Sequence, residues 1–196
     1  MSDRRALRKA LRAARTAIPL RQRQAAAAQV AGWIAATHWL VPGLRVGLYA
    51  AVGDELDTTP LLELARRRGC QPYFPRLESL RARRMTFSPI GPHHRRNRFG
   101  IVEPDTAQRE TAAFLQIIFM PLVGFDARGN RLGMGAGFYD RALAFRRRRQ
   151  HWRGPLLVGL AYACQELAVI DPSNTDIALD AVVTETGIRF FRGAQP

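Results

Sequence analysis

Apolar and polar positions change period several times along this chain, and each change marks an expected element. From residue 3 to about 17, Leu7, Leu11, Ala14 and Ile18 recur at helical spacing among arginines, and Pro19 closes the segment. This reads as an amphipathic arm. A second helix is expected from about 20 to 37, carrying Val30, Trp33 and Ile34, with Pro42 and Gly43 ending the connection after it. The period then shortens. Residues 45–50 read as a strand, and Thr59, Pro60 and Gly69 stand as N-cap, first helical residue and stop of a helix between them. Strands are expected at 71–75 and 85–90, and 91–98 is a basic connection containing His93 and His94. The apolar run 115–123 reads as the central strand, followed by a helix at 138–149, a strand at 156–162 and a final strand at 181–184. Strands alternating with helices predict a three-layer α/β/α domain with a largely parallel central sheet. Residues 1–40 form its N-terminal helical arm and residues 1–196 a single domain.

The segment at 124–141 changes the picture from fold to chemistry. It gathers glycines, arginines, aromatics and acids that are scattered elsewhere, and the central strand delivers it from its carboxyl end, where ligands of such sheets lie. Gly133, Gly135 and Gly137 leave alternate residues without Cβ, so backbone N–H groups can close on an anion. Arg131 and Arg141 flank the stretch with fork-shaped donors, and Asp140 offers a hard oxygen where Mg²⁺ accompanies phosphates. It reads as a phosphate-handling loop. A dinucleotide fingerprint would follow the first strand of a βαβ unit. A P-loop needs Gly-Lys-Ser or Gly-Lys-Thr, whereas the one lysine here is Lys9.

The acids at 54–57 follow the strand ending near Ala50 and should face the same crevice. Asp57 is explained by a capped turn before the helix at Pro60. Glu55 is the candidate for ligand contact, since its carboxylate can accept hydrogen bonds from the N–H groups of a heterocycle. His93 and His94 are a weak metal signal, because neighbours point apart and no acid or cysteine stands at ligand spacing, and the loop reading outweighs it.

The net charge of +14 is almost wholly arginine, and it fits a solvated basic surface, attraction of a polyanionic ligand, or nucleic acid. Nucleic acid is discounted because no aromatics interleave the run at 146–149. No apolar stretch approaches the roughly 20 residues of a membrane span. The first residues lack an apolar block with a cleavage site, so a cytoplasmic location is expected. Cys70 and Cys164 fit neither a disulfide framework nor a zinc site and are expected to be buried, small apolar residues.

With these pieces in order, the chain resembles the 5-formyltetrahydrofolate cyclo-ligase, or 5,10-methenyltetrahydrofolate synthetase, family. The strongest part is Phe125-Asp126 through Arg131 to Arg141, and the second is the run 53–58 with Pro75-Arg76 downstream. Residues 99–104, 158–162 and 176–184 add weaker pieces, so the likeness spans nearly the whole chain. The resemblance implies an ATP- and Mg²⁺-dependent closure of 5-formyltetrahydrofolate to 5,10-methenyltetrahydrofolate with release of ADP and phosphate. The formyl oxygen is phosphorylated and N10 then attacks.

By the same resemblance the nucleotide is held by Arg4, Arg5, Ala6, Leu7 and Arg8 of the arm, which closes over the phosphates, and by Arg131, Leu132, Gly133, Met134, Gly135, Ala136, Gly137, Phe138 and Tyr139. Arg131 and Tyr139 take the catalytic roles. Asp140 and Asp176 match the magnesium positions. Ala50, Glu55, Met134, Gly135, Ala136, Gly137 and Phe138 match the folate contacts, with Phe99 either stacking on the pterin or serving as a core aromatic. The chain departs from the family at Arg4, where lysine is usual, and at Ala136, where lysine or glycine is common. Polyglutamylated folate is an expected form of the substrate, and a basic rim would attract it. The competing readings are an α/β sugar-phosphate isomerase or CoA transferase, whose catalytic carboxylate context is not evident, and a nucleic-acid-associated protein.

Overall fold

A computed structural model describes residues 3–97, 100, 102–148 and 154–191. Phe99, expected to stack on a pterin or to serve as a core aromatic, and Arg149 of the arginine run lie outside the described residues.

Two helices open the chain, α1 (Arg4–Thr16) and α2 (Leu20–Ala35). Asp3 caps α1 by accepting from Arg5 N at 2.8 Å. Five parallel strands follow: β1 (Arg45–Gly47), β2 (Gln71–Ser79), β6 (Ile117–Pro121), β9 (Leu156–Leu160) and β11 (Ala181–Thr184). Antiparallel strands close the two edges, β3 (Arg84–Pro89) against β2 and β12 (Gly187–Phe190) against β11. The seven-strand order is β12-β11-β9-β6-β1-β2-β3, with β6 in the middle as expected. Smaller pieces are the pair β4 (His94–Arg96) and β5 (Val102–Pro104), and a three-stranded sheet of β7 (Gly124–Asp126), β8 (Arg131–Leu132) and β10 (Glu166–Leu167).

Alternation along β6 explains the layers. Ile117 and Phe119 point into one core with Val30 and Ile34 of α2 and Leu61, Leu64 and Ala65 of α3 (Thr59–Arg67). Ile118 and Met120 point into another, with Leu143, Leu157, Leu179 and Val182. A parallel strand buried on both faces is therefore apolar throughout, which is why its sequence shows no polar alternation.

Several expected elements change at their ends. Strand β1 stops at Gly47, although Leu48 N still donates to Tyr73 O at 2.8 Å, and the chain then leaves the sheet toward the crevice. The helix expected at 138–149 is five residues of α-helix, α4 (Phe138–Ala142), then a 3-10 segment at Ala144–Arg148. A tertiary ion pair and a hydrogen bond to the backbone hold it there. Arg146 grips Asp180 through two bonds at 2.9 and 3.0 Å, and Arg147 donates to Thr175 O at 2.6 Å. Strand β11 is not the last: a two-residue turn at Glu185 and Thr186 sends the chain back as β12, which starts at Gly187 with φ +140. Cys70 is buried as expected, but Cys164 is exposed. Among the described residues no helix is long and apolar enough to cross a membrane.

Candidate active site

The site is built at the carboxyl ends of β1 and β6. Beyond β1, buried Tyr49 donates to Leu56 O at 3.0 Å while Thr58 Oγ1 donates to Tyr49 O at 2.5 Å, which closes residues 50–58 into a compact loop. Asp57 caps α3 by accepting from Thr59 N at 2.9 Å, the structural role expected of it. Glu55 Oε2 accepts from Val52 N at 3.0 Å. Burial raises the Glu55 carboxyl above its usual range, against the opposing Val52 bond and Arg15 charge. Half-buried Ala50 stands at the start of this loop.

Beyond β6, the hairpin of β7 and β8 leads into the glycine run. Asp126 fixes its turn by accepting from Arg128 N, Asn130 N, Asn130 Nδ2 and Ile170 N, each at 2.9 Å. Gly135 and Gly137 have φ of +99° and +70°, values that L side chains rarely adopt, so the loop's path requires glycine at both. Met134 and Ala136 are exposed on it, and Phe138 is half-buried. Arg131 is buried, and its Nη2 donates to Asp140 Oδ1 at 2.6 Å. Asp140 Oδ1 also accepts from Ile177 N at 3.2 Å, which brings Asp140 beside the loop that carries Asp176. Asp176 is held by Arg4 Nη2 at 2.6 Å and by Ser173 N at 3.0 Å. Burial works against its charge, but Arg4 and Ser173 outweigh it and hold the carboxyl below the usual range.

Among the described residues, the buried hydroxyl of Tyr139 has no hydrogen-bond partner. Burial, then the Glu55 charge, pushes this phenol well above its ordinary pKa, so it stays protonated and is a donor without an acceptor. Tyr162, whose hydroxyl donates to Glu55 O at 3.5 Å, is pushed up to about 12 by burial.

Helix α1 lies across the opening. Leu7 and Leu11 pack on Val123, Leu132 and Ile170, while Arg4, Arg8, Arg12 and Arg15 form a neighbouring stripe at helical spacing. Arg8 Nε donates to Gly133 O at 2.8 Å, and Arg12 Nη2 lies 3.1 Å from Met134 Sδ. Of the arm residues expected at the nucleotide, Arg4 and Arg8 reach the site, Leu7 anchors the helix beneath it, and Arg5 and Ala6 are exposed. Arg141 is exposed as well. The apolar pattern missed one feature: Ala14 is exposed and Arg15 is buried, because Arg15 pairs with Asp54 at 2.6 Å. The spacing of arginines at 4, 8, 12 and 15 was the available signal.

Among the described residues no group of three or more His, Cys, Asp or Glu could hold a metal ion. The carboxylates of Asp140 and Asp176 nevertheless suit Mg²⁺, which is commonly held by one or two carboxylates together with substrate phosphates and water.

A sequence model of the 5-formyltetrahydrofolate cyclo-ligase family matches residues 1–185. The chain belongs to this family. The cyclo-ligase of Escherichia coli K12 is 34% identical over 182 residues, covering 91% of this chain and 98% of that protein. The Haemophilus influenzae cyclo-ligase is 34% identical over 141 residues, covering 69% of this chain and 72% of that one. The NMR structure of the Aquifex aeolicus 5,10-methenyltetrahydrofolate synthetase matches with a TM-score of 0.78 at 25% identity, over 98% of this chain and 95% of that one. The Mycoplasma pneumoniae synthetase, with a TM-score of 0.74 at 22% identity over 93% of this chain and 99% of that one, shows the same fold. As a cyclo-ligase family member the chain is a ligase of folate metabolism.

Proposed function

We propose that this chain, acting as one cytoplasmic domain, uses ATP and Mg²⁺ to close 5-formyltetrahydrofolate to 5,10-methenyltetrahydrofolate. The observation that carries the reading is that the arginine face of α1 contacts both the glycine run, through Arg8 and Gly133 O, and the loop of Glu55, through Arg15 and Asp54. Family membership supports an ATP-dependent conversion of 5-formyltetrahydrofolate.

A formamide oxygen is a poor leaving group. Transfer of the γ-phosphoryl group to it releases ADP and leaves an iminium phosphate; N10 then attacks the formyl carbon and loses its proton as inorganic phosphate departs. No protein nucleophile is needed. The chain has to hold two ligands in line, neutralise charge and exclude water. Arg4, Arg8 and Arg131 meet the phosphates together with the N–H groups of residues 133–137. The orphan hydroxyl of Tyr139 donates to the transferring group or its acceptor oxygen, and Ala136, Met134 and Phe138 line the meeting point. Leu132 supports the loop from below, while Arg5 and Ala6 lie on the outer face of the arm.

Asp140 and Asp176 would hold Mg²⁺, which neutralises charge on the phosphates. Ala50 and Glu55 receive the folate, with the Glu55 carboxylate accepting from pterin N–H groups. The basic surface favours anionic, polyglutamylated substrate.

The test is the near-ultraviolet absorbance of purified protein with 5-formyltetrahydrofolate, Mg²⁺ and ATP, against a control lacking ATP. Growth of the methenyl band only with ATP supports the reaction. No band from folded protein that binds ATP overturns it.

A further inference from the structure

Helix α1 touches both sides of the crevice. Its second and third turns meet the glycine run through Arg8 and Arg12, and its last turn meets the acid loop. Arg15 Nη2 donates to Asp54 Oδ1 at 2.6 Å, and Thr16 Oγ1 donates to Asp54 Oδ2. Both oxygens of Asp54 are therefore committed to one helix. Arg15 is 5% exposed and its Nε has no partner among the described residues, so Asp54 is what allows a guanidinium to stay there, since a buried charge left unpaired is strongly unfavourable.

The next residue in the chain is Glu55, whose remaining Oε1 is the oxygen left to face a ligand once Val52 N has engaged Oε2. Clamping Asp54 fixes the backbone from which that carboxylate projects. The latch is also separate from the anchorage of the helix. Leu7 and Leu11 dock α1 on Val123, Leu132 and Ile170, one to two turns away. Arg15 and Thr16 add a connection to a different loop.

We propose that Arg15, Thr16 and Asp54 form a latch that couples the two ligands: docking of α1 over the glycine run sets the loop of Glu55, so nucleotide and folate each tighten the binding of the other. The inference rests on the reading of the crevice given above. The three are positioning residues, acting through α1 on one side and through Glu55 on the other.

The test measures the Kd of 5-formyltetrahydrofolate for the full chain with and without saturating Mg²⁺-ADP, which permits no turnover. Couplings of this kind are commonly roughly 5- to 150-fold, and the factor must be the same when ADP binding is measured with and without folate. Wild type is expected to show a factor in that range. Asp54→Asn and Thr16→Val should bring it to within about 2-fold of unity on the same linkage relation, with a smaller change in folate Kd when nucleotide is absent. Thr16 is exposed, so its variant tests the latch without risk to the core.

A staple with no coupling role would lower the thermal midpoint and leave the factor intact. Coupling unchanged in both variants, or wild type that binds both ligands independently, overturns the latch. Wild type that binds neither ligand overturns the underlying reading of the crevice instead.

Discussion

Arg131 Nη2 sits 2.6 Å from Asp140 Oδ1, a pair that spans the glycine run and ties β8 to α4. A cation already occupies the carboxylate proposed for the metal, so Asp140 has to serve the loop and the phosphates in turn. Asp140→Asn keeps the shape and removes the charge. Its kcat for methenyl formation is expected to fall roughly 10²- to 10³-fold, as when one electrostatic contribution to a transition state is lost. A progress curve at saturating ATP and folate checks it, with circular dichroism showing that the fold persists.

Glu55→Gln should act on the folate side. Hydrogen bonds to an ionised carboxylate are worth about 1.5–3 kcal/mol, so KM for folate should rise roughly 10- to 100-fold with a smaller change in kcat. Burial raises the carboxyl's pKa, so wild-type kcat/KM for folate should begin to fall, as pH is lowered, above the ordinary glutamate range. The variant should lose that acid limb. A raised carboxyl makes the ionised form a cost to the fold, fully present above the folded pKa and absent below the unfolded one. The variant should therefore be at least as stable as wild type at neutral pH, read as the urea midpoint.

Asp126 has the opposite sign. Burial opposes its charge, yet Asn130 and the N–H groups of Ile170, Arg128 and Asn130 outweigh it and hold the carboxyl below the usual range. Its stabilisation is complete above the unfolded aspartate value of about 3.9 and disappears as pH falls through the lower folded value. Asp126→Ala leaves those donors without their acceptor and should cost about 2–4 kcal/mol at pH 7. Urea unfolding at pH 7 and at about pH 3 should show the gap between variant and wild type closing in acid.

Gly124 is the point where α1 comes down on β7. A Cβ there would stand 2.6 Å from Leu11 Cδ1 and 3.3 Å from Gln165 O. Gly124→Ala should cost about 1–3 kcal/mol through overpacking, and part of that strain should be relieved by lifting the arm. KM for ATP is then expected to rise, together with protease cleavage within residues 4–16.

The charge of +14 predicts a screened attraction. KM for polyglutamylated 5-formyltetrahydrofolate should rise with added salt more steeply than KM for the monoglutamate, because the extra carboxylates feel the surface within about one Debye length, roughly 10 Å at 0.1 M. Equal salt dependence of the two substrates counts against a basic rim as the reason for the charge.

Much of the architecture was legible because its elements carry local signals. Leu7 and Leu11 marked α1, the unbroken apolar run around Phe119 marked the central strand, and Pro60 marked the start of α3. What escaped depends on partners far away in sequence. Nothing near Arg15 announces a buried arginine, since its counterion lies 39 residues away. The shortening of α4 follows from Asp180, 34 residues beyond Arg146. The orphan hydroxyl of Tyr139 is a property of enclosure, which no periodicity reports. Glu55 and the glycine run were legible as chemistry because residue type and position after a strand suffice to place them at strand ends.

The bond between Arg4 and Asp176 joins residues 172 positions apart. A nascent polypeptide that has emerged only as far as the glycine run possesses the loop but neither the second carboxylate nor the tether that draws the arm onto it. The pair can form only once the chain has been made through residue 176. Under the proposed function, capture of ATP by the tethered arm therefore requires a chain made at least through Asp176.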